Sequence, residues 1–146
     1  MSGEIVVDAS LALKWVLEEP YSTEAHELLE NWGGLRNRLL APALFLYEVA
    51  NALTKRIQRH QLTLAQAKER LGFFLESGPL LQQIGAVHPR ALELAERFRL
   101  PTAYDAHYLA LAEFQRCEFW TADERLWNSV KRDLHWVHWL GEDKVS

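Results

Sequence analysis

Ile5-Val6-Val7-Asp8-Ala9-Ser10-Leu11-Ala12 decides how the rest of this chain is read. Three consecutive β-branched residues favour a strand. With no polar residue among them, the strand reads as buried on both faces, the pattern of a parallel sheet. The run stops at an aspartate, and the spacing beyond it predicts a helix over 10–17, ended at Pro20. An acid set where a buried strand hands over to a helix is a candidate for chemistry. In open α/β sheets, ligands collect beyond the carboxyl ends of the strands.

The same alternation runs through the chain. Ser22 and Thr23 cap a helix from Glu24 to about Trp32, which Gly33-Gly34 is expected to stop. Leu39-Leu40 is a short strand candidate. Pro42 then opens a long helix at its first turn, where a missing N–H is not needed. This helix runs to about His60, with Leu46, Val49, Ala50, Leu53 and Ile57 as its core face. Thr63 and Gln66 form a capping box for the next helix, to Glu76. After the turn Gly78-Pro79, residues 80–87 predict a strand with Ile84 and Val87 as its strongest members, and Pro89 opens a helix ending near Phe98. Thr102 starts a helix that is apolar nearly all round. Phe119-Trp120-Thr121 is a strand, 122–131 a helix and 136–140 a last strand. The expected class is α/β, a single domain over residues 1–146 around a mostly parallel sheet.

Composition sets limits on function. Of 146 residues, 49% are apolar and 25% charged, which is enough for one core. No run of 18 apolar residues occurs, so no membrane span is expected. The opening Met-Ser-Gly-Glu is too short and acidic for a signal peptide. The one cysteine, Cys117, excludes a disulfide framework and a cysteine-rich zinc site within this chain, and suits the cytoplasm. It borders an apolar strand and reads as core. His135 and His138 lack the partners of a zinc site, His107 reads as a packed helix residue, and the six tryptophans read as core or interface anchors. A formal charge of −4 argues against a nucleic-acid partner. That view changes when four acids are set aside, because the remaining Asp and Glu then match the 16 Lys and Arg.

Those four are Asp8, Glu48, Asp105 and Asp123. Each has an ordinary role of its own. Asp8 and Asp123 suit helix starts, Asp105 suits the first turn behind Thr102, and Glu48 lies opposite the apolar face of its helix beside Asn51, Lys55 and Arg59. Together they sit at strand ends and helix starts, and Asp105 lies on the apolar stripe with Tyr108, Leu109 and Ala112. Two carboxylates about 4 Å apart repel by about 4 kcal/mol at an effective dielectric of 20, so a cluster must hold protons or a cation. An oxygen-only donor set suits Mg²⁺, which keeps waters and open positions for phosphate. Such an ion acidifies a bound water and polarises a phosphoryl oxygen, the chemistry of phosphodiester hydrolysis.

Four stretches, in order, carry a family resemblance: Val7-Asp8-Ala9-Ser10 with Lys14-Trp15; Glu48-Val49-Ala50-Asn51-Ala52-Leu53; Tyr104 through Ala112; and Thr121-Ala122-Asp123-Glu124-Arg125-Leu126. They resemble the four motifs of PIN-domain nucleases, and within them the VapC toxins of prokaryotic toxin–antitoxin pairs. The resemblance spans nearly the whole chain. It implies a three-layer α/β/α fold and RNA cleavage dependent on Mg²⁺ or Mn²⁺. It makes Asp8, Glu48, Asp105 and Asp123 the metal-site acids, Ser10 and Thr121 the hydroxyls that position phosphate, water or a carboxylate, and Asn51 a supporting polar residue. Some relatives carry a further acid just past the fourth motif, where this chain has Leu126-Trp127-Asn128. The resemblance also implies a homodimer, and a small antitoxin that places a basic side chain at the acids.

Lys55 and Arg59, with Lys14 and with Arg36 and Arg38, are candidates for tracking RNA phosphates. The competing reading for the Lys55–His60 stretch is a solvated helix end. Two other functions compete with the toxin: a non-catalytic module docking a basic peptide on the acids, and a housekeeping RNA-processing nuclease with the same site.

Overall fold

The computed structural model describes residues 3–142. Five strands form one sheet in the order β3-β2-β1-β4-β5. They are β1 (Glu4–Val7), β2 (Arg38–Pro42), β3 (Leu80–Gln82), β4 (Glu118–Thr121) and β5 (Val137–Trp139). All four pairings are parallel. Side chains alternate between the faces of a strand, yet Ile5, Val6 and Val7 are all buried. Helices therefore cover both faces, which gives the three-layer α/β/α architecture.

The helices are α1 (Ala9–Ala12), followed by a 3₁₀ turn at Leu13–Trp15, then α2 (Ser22–Gly34), α3 (Leu44–Gln58), α4 (Leu64–Ser77), α5 (Val87–Phe98), α6 (Ala103–Gln115) and α7 (Glu124–Val130). The α6 helix packs on β1, β2 and β4 and on α5. Six of its residues are buried, as its apolar composition requires. The expected capping box is present, with Gln66 N–H donating to Thr63 and Thr63 N–H to Gln66 at 3.1 and 2.9 Å.

From β1 the chain steps outward to β2 and β3, then returns to the other side of β1 for β4 and β5. The direction of winding reverses between β1 and β4. A crevice opens at such a switch point, beyond the carboxyl ends of the two strands. Asp8 directly follows β1, and Asp123 lies two residues after β4.

Several expectations are corrected. Pro42 closes β2 rather than opening α3, which begins at Leu44. In place of its missing N–H, the next residue bonds across, Ala43 N–H donating to the Gln82 carbonyl at 3.2 Å. Residues 80–87 are not one strand: β3 ends at Gln82, Val87 N–H turns back to the Ile84 carbonyl, and Val87 begins α5. Pro89 sits in that first turn. The α3 core face is rotated from the expected one toward Phe45. Phe45, Val49 and Leu53 are buried, and Ala50 is exposed. Glu48 thus borders the buried face instead of lying opposite it.

Gly33 and Gly34 do not stop α2 but belong to it, and the left-handed residue beyond it is Arg36, at φ 59°. Arg99 after α5 and Arg116 after α6 adopt φ 53° and 54°. None of the seven glycines has a positive φ.

Leu109 is fully buried in α6 and Thr63 caps an exposed helix end. Leu109→Ala is expected to lower stability in urea denaturation by about 2–5 kcal/mol, and Thr63→Ala by about 1 kcal/mol.

Candidate active site

The β1–β4 pairing carries Asp8 and Thr121 to the same edge. Asp8 is 5% exposed and Thr121 is fully buried. Two short relays run from the backbone after β4 into the Asp8 carboxylate. In one, Ala122 N–H donates to Ser10 Oγ at 3.1 Å, and the Ser10 hydroxyl donates to Asp8 Oδ1 at 2.7 Å. In the other, Asp123 N–H donates to Thr121 Oγ1 at 3.0 Å, and the Thr121 hydroxyl donates to Asp8 Oδ2 at 2.5 Å. Ser10 and Thr121 thus position a carboxylate. Asp8 Oδ1 also accepts from Leu11 N–H at 3.1 Å and caps α1. The ordinary role of Asp8 and its place in the cluster are the same geometry. Burial pushes its carboxyl up to about 7 against these hydrogen bonds, and the charge of Asp105 adds to the rise.

Asp123 caps α7, its Oδ1 accepting from Arg125 N–H at 3.0 Å and Leu126 N–H at 3.3 Å. Asp105 occupies the first turn of α6 behind Thr102, whose side chain makes no cap bond. Burial raises its carboxyl, as does the charge of Asp123. Glu48 accepts from the Tyr108 hydroxyl at 2.6 Å. Burial raises Glu48 too, and the charge of Asp105 adds to it. Asp105 is therefore the hub, electrostatically coupled to each of the other three acids. Among the described residues it has no hydrogen-bond donor.

Tyr108 is a site residue to which the sequence assigns no role of its own. It is 1% exposed and stacks on Phe119, with ring centroids 5.9 Å apart. Its hydroxyl ties α6 to the Glu48 carboxylate on α3. Burial and the neighbouring Glu48 charge hold the phenol protonated, so it acts as a donor. The available signal was a hydroxyl on an otherwise apolar helix, three residues after an acid, because a buried hydroxyl needs a partner.

The cations fall in two groups. Lys14, 13% exposed at its side chain, pairs with Glu19 at 3.4 Å, and Arg56 of α3 pairs with the same carboxylate. Lys14 is thus engaged in a bridge between the 3₁₀ turn and α3. Lys55 and Arg59 are exposed, with no ion-pair partner among the described residues. They lie two and three turns along α3 on the side of Glu48, about 10 and 16 Å along the axis. Asn51 is exposed one turn beyond Glu48 and bonds to none of the acids. Cys117 is buried and unpaired, its thiol pushed up to about 11 by burial.

Asp8 has donors on both oxygens, while Asp123 Oδ2, Glu48 Oε2 and both oxygens of Asp105 have none among the described residues. Among those residues, no three acids, histidines or cysteines are grouped tightly enough to enclose an ion. That donor set fits a small hard cation held by one or two carboxylates and otherwise by water, the habit of Mg²⁺.

An open parallel α/β sheet with electrostatically coupled carboxylates beyond its switch point describes the class, and the family model for the PIN domain matches residues 5–132. The VapC ribonuclease Mb0985 of Mycobacterium bovis and ribonuclease VapC9 of Mycobacterium tuberculosis are each 33% identical over 122 residues, covering 84% of this chain and 87% of theirs. The chain belongs to the PIN-domain family, among its VapC ribonucleases. The crystal structure of PAE2754 from Pyrobaculum aerophilum superposes with a TM-score of 0.68 at 28% identity, over 90% of this chain and 89% of that one. The fold is also that of Mycobacterium tuberculosis VapC20, a sarcin-ricin loop cleaving toxin, with a TM-score of 0.65 at 16% identity over 86% and 95% of the two chains.

Because the folded-state pKa of Asp8 lies above its unfolded value, its effect on stability has a definite sign. Between about pH 4 and 7 the folded chain keeps a proton that the unfolded chain has lost, so stability falls as pH rises. Above about pH 7 this contribution is flat. The raised carboxyls of Asp105 and Glu48 act in the same direction. Urea denaturation in EDTA from pH 4 to 8 is expected to show this decline, and Asp8→Asn to flatten it.

Proposed function

We propose that this protein is the toxin of a toxin–antitoxin pair, a cytoplasmic endoribonuclease that uses Mg²⁺ or Mn²⁺ at Asp8, Glu48, Asp105 and Asp123. The observation that carries the reading is Asp105, a half-buried carboxylate without a donor among the described residues, coupled to three other acids. A group so placed calls for a cation. The VapC relatives support RNA as the substrate.

When bound, the ion supplies Lewis acidity and lowers the pKa of a water. The chain's own residues do the rest. Asp105 and Asp123 offer their free oxygens to the ion. Ser10 and Thr121 fix the Asp8 carboxylate, and the Tyr108 hydroxyl fixes one oxygen of Glu48 so that the other faces the site. Lys55 and Arg59 extend from the acids along α3 and hold the RNA backbone. Lys14, engaged with Glu19, steadies α3 against the 3₁₀ turn instead of touching RNA. Asn51 orders water at the rim. The single buried thiol suits a reducing compartment. The antitoxin inhibits by placing a basic side chain among the acids in place of the ion. The active form is a homodimer. Tyr47 of α3, a large aromatic side chain left exposed, is a candidate contact for it.

Purified protein is expected to cleave RNA in Mg²⁺ and to lose that cleavage in EDTA. Asp105→Asn is expected to lower the rate by about a hundredfold or more, on the order seen when a transition-state electrostatic contact is removed, without lowering the melting temperature in EDTA. Full activity in this variant would remove Asp105 from the site. Lys55→Ala with Arg59→Ala is expected to weaken RNA binding and to flatten the slope of log K against log salt by about 1 to 1.5; an unchanged slope would place the RNA elsewhere.

A further inference from the structure

Beside the acids, on the same carboxyl edge of the sheet, a cavity of about 310 Å³ opens between the ends of β2 and β3 and the first turns of α3, α5 and α6. Leu44 and Leu111 contribute apolar walls, and Gln83, His88 and Tyr104 line it with polar groups. None of the four acids lines the cavity, but the chain connects it to them. Tyr104 directly precedes Asp105, and Leu44 lies one helical turn before Glu48.

Two of the residues there, His88 and His107, are linked by hydrogen bonds. His107 Nδ1 lies 2.6 Å from the Ala103 carbonyl, which only accepts, so that nitrogen carries the proton. His107 Nε2 lies 2.8 Å from His88 Nδ1, so one hydrogen bond joins the two rings. His88 Nε2 is a hydrogen-bonding nitrogen with no partner among the described residues. Gln83 is exposed, and its amide has neither donor nor acceptor occupied among those residues. Tyr104 is 60% exposed, and its ring touches no other ring among them.

We propose that this cavity receives one unstacked RNA base next to the bond that is cut, with the Tyr104 ring stacking on the base and Gln83 and His88 reading its edge. The proposal rests on the ribonuclease reading above and names how that site selects its substrate. The volume lies at the small end of the range for small-molecule sites, suited to one flat group. Unpaired bases are recognised by stacking on aromatic side chains and by hydrogen bonds to their edges. A wholly apolar occupant would leave the Gln83 amide and His88 Nε2 buried without partners, a penalty that a base edge avoids.

The test uses fluorescein-labelled single-stranded hexamers of adenosine, cytidine or uridine, bound in EDTA so that none is cut, and read by fluorescence anisotropy. Tyr104→Ala is expected to weaken binding of the preferred hexamer about tenfold, the scale of one lost stacking contact, and Tyr104→Phe to retain it. An abasic site at one position of that hexamer is expected to weaken wild-type binding and to leave Tyr104→Ala binding unchanged. Equal affinity of Tyr104→Ala and wild type, with metal-dependent cleavage of RNA intact in both, overturns the base pocket alone. Absence of both RNA binding and cleavage in the wild type overturns the ribonuclease reading itself. A dimer-to-monomer shift of Tyr104→Ala in sedimentation, with unchanged RNA affinity, assigns the face to a second copy of the chain and also overturns the proposal.

Discussion

The constraint on which the rest of the structure depends is a carboxylate held almost out of water at the end of the central strand. Burying Asp8 without donors is prohibitive. The sheet solves this by pairing β1 with β4 in parallel, so that Thr121 arrives beside Asp8 and the β4–α7 junction sends two backbone N–H groups through two hydroxyls into the two carboxylate oxygens. Strand register, the start of α1 and the entry to α7 are thus tied to one side chain. A slip of one residue in the β1–β4 register would turn Thr121 to the other face and leave Asp8 without that donor.

The second tie is made by α6. This helix packs against three strands of the sheet, so its position is set by the core. It delivers Asp105 from its first turn and the Tyr108 hydroxyl one turn later, and the hydroxyl fixes Glu48 on α3. The division of labour is physical. Asp8 accepts three hydrogen bonds and supports the architecture, whereas Asp105 accepts none among the described residues and is raised by burial and by the Asp123 charge. The four acids of the proposed site are therefore not equivalent. Asp8 is tied at both oxygens and Asp105 at neither, while Asp123 shares one oxygen with the α7 cap and Glu48 one with Tyr108.

Much of this was legible in the sequence because the signals were local. The β-branched run at Ile5–Val7, the box at Thr63 and Gln66 and the apolar α6 each specify their element without reference to the rest. The acids were legible by their order along the chain and by their positions at strand ends. What was not legible depends on tertiary geometry. The α3 core face was misplaced because Leu46 and Ala50 fit a helical stripe as well as Phe45 does, and only the packing of α3 beside β2 decides between them. Residues 80–87 read as one strand because Ile84 and Val87 are β-branched, yet β3 lies at the sheet edge, where pairing on one side alone ends after three residues. Lys14 gave no sign that it pairs with Glu19, since the two lie five residues apart across the end of the 3₁₀ turn, where helical spacing no longer applies, and Arg56 reaches the same carboxylate only through the tertiary fold.

Arg36, Arg99 and Arg116, beyond the ends of three helices, occupy left-handed positions where glycine is the usual residue. An L-residue there is strained by about 1–2 kcal/mol. What the strain secures is a cation at the negative end of α2, α5 and α6. Asp8, Asp105 and Asp123 stand at the positive ends of α1, α6 and α7. Because α6 runs from Asp105 to Arg116, it carries charge of one sign at its head and the other at its tail. The dipole that favours Asp105 at the head of α6 also favours Arg116 at its tail, so the helix itself offsets part of the repulsion that the hub carries.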